Sequence, residues 1–145
     1  ATPTAEAGTP VSIACDQLVS LAVMYDFDPN FSLQPSFTPA AGSLAAEAVA
    51  DGGVACQWVQ QTSGVTIELS VAQPAPAELN KRMNDLVVTS NSVPTYGVEG
   101  YFTLNGSVGE AQAFPAPYWI TAVSPAFFEP GDPSPIIAAM IAALG

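Results

Sequence analysis

The stretch Gly53-Val54-Ala55-Cys56-Gln57-Trp58-Val59-Gln60-Gln61, Thr62-Ser63-Gly64, Val65-Thr66-Ile67-Glu68-Leu69-Ser70-Val71-Ala72 reads as a β-hairpin. In its second arm Val65, Ile67, Leu69 and Val71 alternate with Thr66, Glu68 and Ser70, the period of a half-buried strand. Thr62-Ser63-Gly64 is short enough for a hairpin turn. Cys56 lies in the first arm, with Trp58 and Val54 on the same face, so Trp58 is placed to shield it.

Working outward, Pro74 and Pro76 end the hairpin, and Ala77 to Thr89 reads as a helix with Leu79, Met83, Leu86 and Val87 on one face. Glu78 and Arg82 are spaced i,i+4 in the favourable orientation. Upstream, Ser43 caps a short Ala-rich helix, Leu44 to Ala50, that Gly52-Gly53 ends. Asp16 to Tyr25 reads as one nearly all-apolar, well-buried helix, stopped by Asp26-Phe27-Asp28-Pro29-Asn30. Phe31 to Gly42 is expected to be a loop pinned by Phe31, Leu33 and Phe37. Downstream, Val98 to Leu104, Glu110 to Phe114 and Tyr118 to Ser124 read as strands, with Asn105-Gly106 as a hairpin signal. Tyr118-Trp119-Ile120-Thr121-Ala122-Val123 suits a central strand. A helix follows Gly131-Asp132-Pro133-Ser134-Pro135 and runs to Leu144.

The expected order is therefore α-α-β-β-α-β-β-β-α. It gives an α+β domain over residues 11–145, with an antiparallel sheet of about five strands and helices on one face. Residues 1–10, rich in Thr, Pro and Ala, read as a flexible tether. At 145 residues the chain is one domain by size, large enough to bury a core without a metal.

Thirteen carboxylates face only Lys81 and Arg82, and there is no histidine. At a net charge of −11 the chain is not expected to bind nucleic acid, which needs Lys and Arg to displace counterions. The same deficit argues against a basic patch on anionic lipid. The longest apolar run, Ile136 to Leu144, is too short to span a membrane. The chain opens without a charged n-region or apolar h-region, so any export signal is expected to have been removed or to lie outside this sequence.

The cysteines Cys15 and Cys56 cannot make a zinc site, form no Cys-x-x-Cys pair, and have no basic neighbour in sequence to activate a thiol. What remains is a disulfide or two buried free thiols. The exported character of the chain favours the disulfide, which would place it in an oxidising compartment.

The start Cys15-Asp16-Gln17-Leu18, the strand Gly52-Gly53-Val54-Ala55-Cys56-Gln57-Trp58 and the alternation ending at Val71-Ala72 resemble small actinobacterial secreted lipoproteins. The Tyr118-Trp119-Ile120 strand and the helix after Gly131-Asp132 fit the same group. The resemblance spans residues 11–145 in layout and rests on short motifs. It implies a PsbP-like α+β sandwich, with an N-terminal helix bridged to the first strand. It also implies an extracytoplasmic location, secreted or on the outer face of the cell membrane, reached only through an N-terminal lipid anchor absent from this chain. It implies no site, because the molecular function of the group is largely unknown.

No cofactor motif is present: Gly-x-x-x-x-Gly-Lys-[Ser/Thr] is missing and the single lysine lies between Asn80 and Arg82. Asp26-x-Asp28-x-Asn30 opens like an EF-hand loop. Phe31 and Phe37 stand where calcium would need Gly and Glu, so a helix stop and turn is the favoured reading and a cation site the weaker one. Serine nucleophiles have no histidine.

The preferred expectation is a non-enzymatic binding or interaction domain of the cell envelope, taking a protein, a glycan or a small molecule. Its surface is sought on the aromatic loops, residues 26–42 and 91–97, with Tyr25, Phe27, Phe31, Tyr96, Phe127 and Phe128 as candidate contacts. One alternative is capture of a solute or metal ion for an uptake system. Another is a carboxylate-dependent hydrolase, which requires two acidic side chains in one cleft.

Overall fold

The computed structural model describes residues 8–145. Its element order is α1 (Cys15–Leu18), α2 (Leu21–Phe27), β1 (Phe31–Leu33), α3 (Leu44–Ala50), β2 (Val54–Gln60), β3 (Thr66–Ala72), α4 (Pro76–Thr89), β4 (Asn91–Ser92), β5 (Glu99–Asn105), β6 (Val108–Phe114), β7 (Trp119–Ser124) and α5 (Ser134–Leu144). A 3-10 turn at Pro94–Tyr96 joins β4 to β5. All seven strands form one antiparallel sheet in the order β1-β2-β3-β7-β6-β5-β4.

The α+β class, the β2–β3 hairpin, and β7 at the centre of the sheet agree with the sequence. The strand count does not. The sheet has seven strands rather than about five, because β1 and β4 add short edges of three and two residues. The order gains those two strands accordingly. The expected helix Asp16 to Tyr25 is two helices, because Ser20 leaves the helical conformation and its Oγ accepts the N–H of Val23, capping α2. The split changes which side chains face inward. Leu18 and Met24 are buried, while Leu21 and Tyr25 are exposed.

Helices cover both faces of the sheet, not one. Ile67, Leu69 and Val71 of β3 and Ile120 and Ala122 of β7 meet Leu18 and Met24 of the N-terminal helices and Ile136, Ile137 and Met140 of α5. On the opposite face Ala72, Trp119, Tyr101 and Phe114 meet Ala48 of α3 and Leu79 of α4, with Met83 and Leu86 alongside. Gly53 permits the α3 contact, since a Cβ there would collide with the carbonyls of Val71 and Ala48.

Cys15 and Cys56 form a disulfide, tying α1 to β2 across a sequence separation of 41. Trp58 lies with Cys56 in the same buried cluster. Residues 1–7 of the expected tether lie outside the described residues; beyond them the N–H of Thr9 donates to Gln73 O (2.8 Å) and that of Val11 to Gly52 O (3.0 Å). No helix among the described residues is long and apolar enough to cross a membrane.

Candidate functional site

The face covered by α3 and α4 consists of three successive rows of side chains running across the strands. Residues directly opposite on neighbouring strands point to the same side, so the register fixes each row. The first row holds Ala72 opposite Trp119, and Phe114 opposite Glu99. The second is Ala55, Ser70, Thr121, Gln112 and Tyr101. The third is Gln57, Glu68, Val123, Glu110 and Thr103.

These rows pass from aromatic, through buried polar, to charged. In the second row Ser70 and Thr121 are buried and hydrogen-bond each other, and the indole N–H of Trp119 donates to Gln112 Oε1 at 3.0 Å. Their polar groups are thus satisfied under the helices, as burial requires. The third row is only half-buried. There a cleft of about 460 Å³ opens between the sheet and the turn that starts α3, lined by residues 41–45, Glu68, Asn105, Glu110 and Val123.

The roof is held locally. Ser43 Oγ donates to Ala40 O at 2.7 Å and accepts the N–H of Ala46 at 3.1 Å, which caps α3. Gly42 supplies the left-handed backbone of this turn, with φ +83°. The floor is Val123, flanked by Glu68 on β3 and Glu110 on β6, each directly opposite it. Two strand spacings put the Glu68 and Glu110 backbones about 10 Å apart. Both side chains are half-buried. Burial pushes the Glu68 carboxyl above its ordinary value. Among the described residues neither carboxylate has an ion pair or a hydrogen bond. Both basic residues are committed on α4: Lys81 pairs with Asp85, and Arg82 lies near Glu47, Asp51 and Glu78.

The aromatic residues expected to form a binding surface do not come together as one. Phe31, Tyr96 and Phe127 are buried, and Phe27 packs partly buried between Phe31 and Phe127, with ring centroids 6.1 and 6.3 Å away. Tyr96 donates its O–H to Pro130 O at 2.7 Å, pinning the turn that holds it. Only Tyr25 and Phe128 project into solvent. Phe31 is the pin that the loop pattern predicts, whereas nothing in the local sequence separates buried Tyr96 and Phe127 from exposed Tyr25 and Phe128.

Asp26 lies in the last turn of α2, and Asp28 to Asn30 form the turn that follows it. Asp28 Oδ1 accepts the Asn30 N–H at 2.9 Å and its Oδ2 accepts from Gln60 Nε2 at 2.8 Å, so this carboxylate fastens the end of α2 to β2. No group of three or more His, Cys, Asp or Glu among the described residues is placed to hold a metal ion.

Asn105 was readable only as a turn residue. In the fold it ends β5 opposite Val108, and the two-residue turn is Gly106-Ser107, with Gly106 at φ +65°. That one-residue difference puts Asn105 on the rim of the cleft. Glu68 and Glu110 could be read from the sequence only as the polar positions of alternating strands.

The chain matches no family model, no curated protein and no solved structure.

Proposed function

We propose that this protein is a non-catalytic extracytoplasmic binding domain that takes a small polar ligand in the cleft floored by Glu68, Val123 and Glu110. The observation that carries the reading is the cleft itself: about 460 Å³, roofed by a capped turn and floored by the sheet. Its volume lies within the range of small-molecule sites. The disulfide supports the location, since such bridges persist where the surroundings are oxidising.

The place where residues 8–11 join the sheet fits the same reading. Thr9 joins the fold at Gln73, beyond the last residue of β3, whereas Glu68 lies near the beginning of that strand. Five residues of strand separate the two, or roughly 17 Å. A domain held by its N-terminus would therefore present the cleft on the side away from its attachment.

The test is a chemical-shift titration of the labelled protein with a library of small polar compounds. Binders should perturb residues 41–45, 68, 105, 110 and 123 together. A library that leaves these amides still, or shifts only the Tyr25 and Phe128 surface, removes the reading.

Carboxylate-dependent hydrolysis is a second reading, favoured by the placement of Glu68 and Glu110 on opposite sides of one cleft, with the Glu68 carboxyl raised by burial. Spaced carboxyls of this kind leave room for a water molecule in inverting glycoside hydrolysis. Purified protein that turns over none of a panel of chromogenic glycosides and esters ends it.

A further inference from the structure

From the same cleft, and resting on the binding reading above, we infer that the ligand is an organic dication, a short aliphatic diamine or a molecule presenting two such ammonium groups. Glu68 and Glu110 are not clustered. They stand on either side of Val123, which each faces directly across a strand pair, with their backbones about 10 Å apart. Among the described residues no third His, Cys, Asp or Glu is grouped with them to complete the oxygen cage that a metal ion takes. A chain with an ammonium at each end can reach both, laying its methylene groups on Val123 and beneath Leu44 and Ala45.

The charge inventory selects the sign of the ligand. The protein has two basic residues, and both are taken up on α4, Lys81 by Asp85 and Arg82 by Glu47, Asp51 and Glu78. Nothing among the described residues neutralises Glu68 or Glu110. A carboxylate partly withdrawn from water without a partner is costly in the free protein, and an incoming ammonium removes that cost. An anionic ligand would meet two negative charges and no positive one. None of the residues lining the cleft is aromatic, so a flat or sugar ligand has no ring to stack on. Asn105, at the rim, is free to accept or donate a further hydrogen bond from its side-chain amide.

The experiment is calorimetric titration of the whole protein, with chemical-shift mapping, using putrescine, cadaverine, n-butylamine, calcium chloride and a neutral sugar as probes. Putrescine or cadaverine should saturate and shift the amides of residues 41–45, 68, 105, 110 and 123. n-Butylamine should bind about tenfold more weakly, having lost one charge-assisted contact. Glu68→Gln and Glu110→Gln should each weaken the diamine about tenfold, and the double variant should show no saturable binding. Circular dichroism and the thermal midpoint of each variant establish that it is folded. The inference fails if the double variant binds diamine as well as the parent protein, if n-butylamine matches the diamines, or if the diamines do not saturate. Should a neutral probe shift the cleft while the diamines do not, the cation class is overturned and the binding reading stands. Should no probe of any class shift it, both fall.

Discussion

Arg82 rests on Trp119: the guanidinium carbon sits 3.9 Å from the centroid of the indole ring. Around it Glu47 Oε1 lies 3.4 Å from Nη2, Glu78 Oε1 3.9 Å from Nε and Asp51 Oδ2 4.0 Å from Nη2. One side chain thus joins α3, α4 and the sheet. Its side chain is only 18% exposed, so these contacts are better shielded than those of an ordinary surface pair. Arg82→Ala should lower stability by about 1–2 kcal/mol in urea unfolding. Arg82→Lys should recover little of it, because a lysine offers neither the planar stack nor the fork of donors. Lys81→Ala removes a pair that is more than half exposed on both sides and should leave the unfolding midpoint nearly unchanged. Equal losses at the two positions would contradict this account.

The Cys15–Cys56 bridge closes a loop with a sequence separation of 41. Loop-closure entropy assigns such a link about 4 kcal/mol, acting mainly on the unfolded chain. The double Cys15→Ala, Cys56→Ala variant, or the reduced protein, should unfold at a correspondingly lower urea concentration. An unchanged midpoint would show that α1 is held to β2 without it.

Glu68 makes stability depend on pH. Burial raises its folded-state pKa above the unfolded value, so the protonated form is the one the fold favours. The resulting stabilisation is present in acid, below the unfolded pKa, and is lost as pH rises through the folded pKa. At neutral pH the ionised carboxylate therefore weighs against folding. Glu68→Gln should raise stability there by a few tenths of a kcal/mol. That gain should disappear in acid, where the parent side chain is itself neutral. A Gln variant less stable than the parent at neutral pH would overturn the assignment.

Tyr96 and Tyr101 set an alkaline limit. Burial, with the nearby charge of Asp132, pushes the Tyr96 phenol up to about 12. Burial, then the hydrogen bond to Glu99 and its charge, does the same for Tyr101. Their folded values exceed the unfolded one, so the stabilisation is present below about pH 10. It is lost as pH climbs toward about 12. Spectrophotometric titration should show the Tyr96 and Tyr101 phenols ionising late, together with unfolding. Tyr96→Phe should cost about 1 kcal/mol at neutral pH, since Pro130 loses its donor, and should flatten the alkaline decline. Phenols of Tyr96 and Tyr101 titrating near their ordinary value would refute this.

The hairpin of β2 and β3 was legible because seven-residue strands give alternation room to register, and α3 because Ser43 and the glycines mark both its ends. β1 and β4 were not, since three and two residues carry no period. The break between α1 and α2 turns on Ser20, whose hydroxyl competes with an otherwise apolar helical pattern. The second helical layer was hidden by polar side chains. Ser70, Thr121 and Gln112 look like a solvent face in sequence, yet they are buried and partnered. For the site, Glu68 and Glu110 lie far apart in the chain and line one cleft only because β7 inserts between β3 and β6, an order no local pattern announces. The aromatic residues of the loops read equally as pins or as contacts, and burial alone decides which.

The two outermost strands, three residues in β1 and two in β4, give the sheet stubs instead of rails. A second molecule laid against either stub would find few backbone groups there to extend the ladder, and a net charge of −11 would oppose its approach. Crowded copies of the domain are thus kept from zipping edge to edge, although nearly half the residues are apolar.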